Sequence, residues 1–596
     1  MPSQLKEDDF ARHMLIVLVC CAVFAVGVLL VLKFSQPRGK LKGILANRET
    51  SFVVTTSTGD ILGVQLDVYK VTVRAFYGIP YALPPRNGRR FSHPIAAYPW
   101  KGVHDGTAIN ARCPQRAQDY YFGRSSNVSI DEDCLYMNVY APKVTHGGSA
   151  GRAVMVVLHG GSFSTGSNAD DLYDARYLAA FGGVVVAVPN FRLNAFGFLR
   201  TTLHEAQGNQ GLWDQLLAIQ WIYENARVFG GKEDTLTLLG VDSGAIAAGL
   251  HMLSPVSRPY IKRAIMQGGS PFLVTEHVPY ARKAEFEALA RDVCFGGSHG
   301  ISLSEEERLS CLKNASSWEI LSNLDDFDGI HGRIFGPSYY DLDTELYITA
   351  IKSNHNEAER ENLMDKDILI GFTANEGEYF LRQFFNSWSL QSVNRFPRAF
   401  VTVFQERLVL QYYSQRSLGS VFEYYYDRKN GISYQDSYIQ ACRFLGDVLV
   451  KCPVKMMADY VSRSGGNVFV YEFDYHLSPS LLNINVNHFT QWRGATHYAD
   501  ALFSLGYFFG LAYTRQVDND TLSMSRRIIQ KWAVFAESGV PDRRDDIKWP
   551  HYKVGDEKIA VLLLNKLRQR NISELGDACG RLLKSAESRT RTSHNG

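Results

Sequence analysis

Leu236–Pro255 reads LTLLGVDSGAIAAGLHMLSP. An apolar β-type run ends at Gly240. An Ala-rich stretch with helical composition begins just after Asp242. Between them lies Gly240–Val241–Asp242–Ser243–Gly244. The context predicts a strand, a tight turn and a helix, the setting in which a Gly-x-nucleophile-x-Gly elbow lifts one side chain above a sheet. Both glycines are in place. The central residue is a carboxylate, and the serine stands one position later.

Similar apolar runs occur at 153–158, 184–188 and 235–239, with later ones at 468–473 and 560–564. Helical patterns lie between and after them, as at 212–229. Alternation of strands and helices predicts an α/β fold with a largely parallel sheet. From Ser51 the residues alternate in β fashion, with turn signals at Gly59 and Gly63. From Glu285 onward helices are expected to dominate, with residues 296–304 as a loop. An apolar content of 45% reads as globular rather than disordered. The 63 Lys and Arg nearly balance the 61 Asp and Glu, and no long basic run occurs, which argues against nucleic acid as a partner.

Residues 14–32 form an uncharged apolar run, long enough to cross a bilayer as a helix. A signal anchor is the preferred reading. Its rival is a signal peptide cleaved after Ala25, whose apolar region is usually shorter, about 7–15 residues. Lys33, Arg38, Lys40 and Lys42 follow the run and only Lys6 and Arg12 precede it, so the positive-inside count places the large domain in the cytoplasm. The cysteines outweigh that count, because they argue for an oxidising compartment. The expected organisation is a cytoplasmic tail at 1–13, a membrane anchor at 14–34, a stalk at 35–48, a folded ectodomain at 49–584 and a flexible tail at 585–596. Cys20 and Cys21 in the apolar run are candidates for palmitoylation. Sequons at Asn127, Asn314, Asn519 and Asn571 suit a glycosylated ectodomain.

Several further stretches, in order, name a family. They are FYGIPYALPP (Phe76–Pro85), DEDCLYMNVYAP (Asp131–Pro142), VMVVLHGGSFSTGS (Val154–Ser167), KWAVFAESGVP (Lys531–Pro541) and KWPHY (Lys548–Tyr552). Together they make residues 50–580 resemble the cholinesterase/carboxylesterase family. The resemblance implies an α/β-hydrolase fold, with a large mixed, mainly parallel sheet flanked by helices, preceded here by the N-terminal membrane helix. It implies disulfides Cys113–Cys134, Cys294–Cys311 and Cys452–Cys579. Cys442 is then left over, either a buried thiol or an interchain bridge. No cofactor and no metal are implied.

The family's triad positions fall on Asp242, on Glu376 in GFTANEGEYFL and on His497 in GATHYADALFSLG. The separation of Gly240 from His251 equals the family's, so no gap can bring Ser243 into the nucleophile position. The oxyanion positions are Gly160, Gly161, Ser162 and Ser243. Asp242 has no hydroxyl proton for His497 to remove, and it puts negative charge beside the hole that must hold an oxyanion. Loss of the serine from such a triad costs on the order of 10⁶ in turnover. Ser162, where the family has a glycine, is expected to disturb the hole further.

The Cys113–Cys134 loop holds Tyr120, Tyr121 and Phe122, and it lacks the Trp that the cholinesterases carry there. Non-catalytic, membrane-anchored relatives, the neuroligins, gliotactin and neurotactin, act in adhesion and signalling. The expectation is an inactive esterase-like surface glycoprotein, anchored by its N-terminus, that binds another cell-surface protein. The alternative is a hydrolase with an Asp nucleophile, or a weak carboxylesterase. A homodimer through 417–427 and 577–586 is possible by the family's helix pairing. Both stretches also fit ordinary core-facing helices.

Overall fold

The computed structural model describes residues 52–116, 128–143, 151–273, 278–297, 303–324, 335–337, 363–386, 425, 434–477, 481, 495–542, 549–564, 566–572, 575 and 579–580. All belong to one unit, Phe52–Gly596. The expected tail, anchor and stalk, the sequon at Asn127, the aromatics at 120–122 and the terminal tail lie outside the described residues. Among the described residues no helix is long and apolar enough to cross a membrane.

The described strands form one mixed sheet. They are β1 (Phe52–Thr56), β2 (Gly59–Val68), β3 (Val71–Pro80), β4 (Val103–Asp105), β5 (Tyr136–Pro142), β6 (Val154–Leu158), β7 (Val185–Pro189), β8 (Thr237–Val241), β9 (Arg263–Gln267), β10 (Asp367–Thr373), β11 (Asn467–Phe473), β12 (Lys558–Leu562) and β13 (Leu567–Asn571). Their order is β1-β2-β3-β5-β7-β6-β8-β9-β10-β11-β12-β13, with β4 beside β2. From β7 through β12 every pair is parallel. The pairs outside that block, apart from β2 with β4, are antiparallel.

Burial explains the composition of the central strands. All five residues of β6, β7, β8 and β9 are buried. A strand covered on both faces needs a continuous apolar run rather than alternation. Val154, Val156 and Leu158 of β6 enter one core, while Met155 and Val157 enter the other on the opposite face. The five runs expected as strands are present, with ends displaced by no more than two residues. The expected helix at 212–229 is α1 (Gln210–Asn225), continued by a 3₁₀ turn, Ala226–Phe229.

The parallel block delivers the site. The chain leaves β8 into the elbow and α2 (Ser243–Leu253). It leaves β6 into His159–Ser162, and β10 into α3 (Glu376–Asn386). Ligand-binding groups of open α/β sheets gather in this way beyond the carboxyl ends of the strands. α3 packs closely on α4 (Tyr434–Gly446). A methyl on Gly377 would collide with the Cys442 carbonyl oxygen. A π-helical turn, Asp447–Lys451, then leads into α5 (Cys452–Arg463), and Lys451 Nζ donates to the Ala374 carbonyl at 3.0 Å.

The three disulfides are those the resemblance implies: Cys113–Cys134, Cys294–Cys311 and Cys452–Cys579. Cys442 is half-buried and takes part in none of these disulfides. Gln115, two residues after Cys113, ties the first disulfide loop to the segment after β6. Its amide nitrogen donates to the Gly166 carbonyl at 2.9 Å, and its oxygen accepts from the Gly166 N–H at 3.0 Å. Asn314, Asn519 and Asn571 are exposed.

For residues 417–427 two readings stood open, a dimer face and a core-facing helix. Of the suggested dimer stretch 417–427 only Tyr425 is described. It is 8% exposed and donates to the Asp447 carboxylate. A buried tyrosine bonded to a buried acid belongs to the core, so it does not contribute to a dimer face.

Candidate functional site

Asp242 sits at the tip of the elbow with φ 52° and ψ −119°. Its N–H continues the β8 ladder to the Gln267 carbonyl at 2.9 Å, and its own carbonyl starts α2 by accepting from the Ala245 N–H at 2.9 Å. The reversal fits only if both flanking residues lack a side chain. A methyl on Gly240 would strike the backbone of Gly244, and one on Gly244 would strike the Leu158 carbonyl. The backbone of Asp242 is therefore strained, a cost of order 1–3 kcal/mol that the surrounding packing must offset.

The carboxylate lies in the oxyanion hole. Asp242 Oδ2 accepts from the Gly161 N–H at 2.9 Å and the Ser162 N–H at 3.0 Å. These are the distances at which such donors grip an oxyanion. The expectation that Ser162 disturbs the hole is not met. Its φ of 53° turns the N–H alongside that of Gly161, and the residue is exposed. The donor pair survives the substitution. Burial pushes the Asp242 carboxyl up, but bonding to His497, the His497 charge, and the N–H groups of Gly161 and Ser243 outweigh it and hold the group well below the usual carboxylate range.

His497 bridges two carboxylates. Its Nδ1 pairs with Glu376 Oε2, and its Nε2 lies 3.3 Å from Asp242 Oδ1. Glu376 is fully buried and its other oxygen accepts from the Thr373 N–H at 2.5 Å. A backbone bridge joins the acid turn to the histidine loop, with the Asn375 N–H donating to the Ala495 carbonyl at 2.8 Å. Burial lowers the His497 pKa, but Glu376 and Asp242 together raise it to about 10. The rings of Phe380 and Tyr379 lie 5.0 and 5.2 Å from the imidazole, which also suits a cation. An imidazolium held in this way has no lone pair with which to take a proton.

Two tyrosines were not foreseen. Tyr498 follows His497 with φ 72°, in the left-handed region that favours glycine. Its hydroxyl donates to Asp242 Oδ2 at 3.0 Å. Tyr173 accepts the Gly160 N–H on its hydroxyl at 2.7 Å, so the first N–H of the loop is engaged outside the hole. His159 stacks on Phe191 at 4.1 Å, and burial lowers its pKa to about 4, so it is neutral. A non-glycine residue in the left-handed region was the available signal for Tyr498, and it is visible only in the backbone. Tyr173 offered none.

A strand–elbow–helix in a parallel sheet, an acid beyond β10 and a histidine beyond β11 define an α/β-hydrolase. The chain belongs to the cholinesterase/carboxylesterase family: the Carboxylesterase family model matches residues 50–577. It is 30% identical to a cholinesterase of Mus musculus over 568 residues, covering 92% of this chain and 88% of the other. It is also 30% identical to an acetylcholinesterase of Bungarus fasciatus, over 87% of this chain and 84% of the other. An acetylcholinesterase of Leptinotarsa decemlineata is 29% identical, over 84% and 80%.

Proposed function

We propose that this chain is a catalytically silent member of its family, a membrane-anchored glycoprotein whose esterase-like ectodomain binds another cell-surface protein in adhesion or signalling. The observation that carries the reading is the seat of the Asp242 carboxylate between the Gly161 and Ser162 N–H groups. Acyl transfer needs a hydroxyl at the elbow, a histidine able to take its proton, and an empty hole for the oxyanion. Asp242 removes the first, opposes the second by favouring the imidazolium, and fills the third. Choline-ester hydrolysis, which the relatives' names declare, is therefore not carried over to this chain. The adhesive role rests on the altered nucleophile together with the apolar N-terminal run and the four sequons, which suit an ectodomain outside the cell.

The test displays the full chain on non-adherent cells and mixes them with cells of the source tissue. Saturable aggregation, lost when the second cells are treated with protease, supports a protein ligand. No aggregation with any tissue, or hydrolysis of alkyl halides or epoxides that disappears with Asp242→Asn, favours the hydrolase alternative, in which the Asp242 oxygen attacks an alkyl carbon.

A further inference from the structure

We infer that Tyr498 is a second lock on the cleft, a positioning residue that keeps the hole closed to esters even when a serine stands at the elbow. This deepens the reading of a silent site and rests on it. The hydroxyl lies 3.0 Å from Asp242 Oδ2, the atom gripped by the Gly161 and Ser162 N–H groups. It also abuts the loop that carries those donors: a methyl built on Gly160 would lie 2.5 Å from the hydroxyl oxygen. The ring is 5% exposed and is wedged edge-on against His497 at 4.7 Å and beside Tyr379 at 5.5 Å. These contacts hold the ring whether or not Asp242 is present.

Removal of the carboxylate therefore does not empty the cleft. The Tyr498 hydroxyl then stays beside the loop that carries the Gly161 and Ser162 N–H groups, crowding the space in which an ester's carbonyl oxygen would settle. The φ of 72° points the same way. A bulky residue is kept in a conformation that glycine adopts without strain, and such outliers persist where the surroundings over-determine them.

The experiment uses the full chain in detergent micelles and a fluorophosphonate probe. Four versions are compared: wild type, Asp242→Ser, Asp242→Ser with Tyr498→Phe, and Asp242→Ser with Tyr498→Gly. In the reaction the serine oxygen bonds phosphorus, the P–F bond breaks, fluoride leaves, and the hydroxyl proton passes to His497. Asp242→Ser should label slowly. Adding Tyr498→Gly should speed labelling by at least ~10-fold, equivalent to about 1.4 kcal/mol of barrier. The rate should rise with pH through the His497 midpoint, which a merely structural change would not produce. Tyr498→Phe keeps the ring without the hydroxyl and should fall between the two.

Equal labelling of Asp242→Ser and its Tyr498→Gly derivative overturns the inference. So does a Tyr498→Phe form that folds like wild type and labels no faster than Asp242→Ser, combined with no gain in the glycine form. Labelling of wild type at Asp242-independent, His497-dependent rates would instead strike at the silent-site reading, leaving the two serine variants to judge Tyr498.

Discussion

Replacing Asp242 with Asn should weaken the hold of His497 on its proton. Glu376 and Asp242 raise the imidazole to about 10, against about 6.5 for a free histidine. At 1.36 kcal/mol per pH unit, a rise of this kind contributes on the order of a few kcal/mol to the fold. Because the folded value is the higher one, the contribution is complete below about pH 6.5 and drains away as pH rises toward 10. Glu376 is the larger source of the rise, and Asp242 adds both a hydrogen bond and a charge. Asn keeps an oxygen for the Gly161 and Ser162 N–H groups but carries no charge. The His497 midpoint should therefore fall by roughly 1–2 units, and the alkaline loss of stability should begin at correspondingly lower pH. The assay is an NMR titration of protein labelled at the histidine ring carbons, with His497→Gln to assign the resonance. A wild-type midpoint near 6.5, or the same midpoint in Asp242→Asn, would refute the picture of an imidazolium shared by two carboxylates.

Three further outcomes are expected. Cys452→Ser with Cys579→Ser opens a loop with a sequence separation of 127 residues and should destabilise the chain by about 4–5 kcal/mol on the chain-entropy account, seen as a lower thermal midpoint; an unchanged midpoint would count against it. Gly377→Ala should cost roughly 1–3 kcal/mol by forcing α3 from α4 at the Cys442 carbonyl, and in thermal unfolding it should behave worse than an alanine at the exposed Gly88. Endoglycosidase treatment of protein from intact cells should lower its apparent mass, and joint replacement of Asn127, Asn314, Asn519 and Asn571 by Gln should abolish that shift; unglycosylated protein whose C-terminal epitope is unreachable from outside would restore the topology that the positive-inside count implies.

The elbow was legible because its local requirements are steric, whereas Glu376 and His497 were placed by the family resemblance. Gly240 and Gly244 mark the elbow, since no side chain fits beside that reversal. β6, β7 and β8 announce themselves as apolar runs because both faces of each are covered. β9 and β13 do not. Arg263 and Gln267 bracket β9, and Leu567–Asn571 is a charged edge strand held by pairing with β12. Edge strands carry such charges routinely, and they erase the apolar signal. β10, Asp367–Thr373, was passed over in a region read as helical. At Ser162 the sequence showed an added side chain but not the backbone angle that keeps its N–H donor in the hole. Tyr498 was missed for a related reason. Its importance arises only when the loop beyond β11 meets the loop beyond β6, and these are over three hundred residues apart in the chain.

The proposed silence of the site rests on the Asp242 carboxylate occupying the oxyanion hole. The most direct measurement is turnover of p-nitrophenyl acetate and acetylcholine by the purified chain, with His497→Ala as the control. Hydrolysis indistinguishable from that control is expected. Turnover within ~10³-fold of an active family member, abolished by His497→Ala, would contradict it.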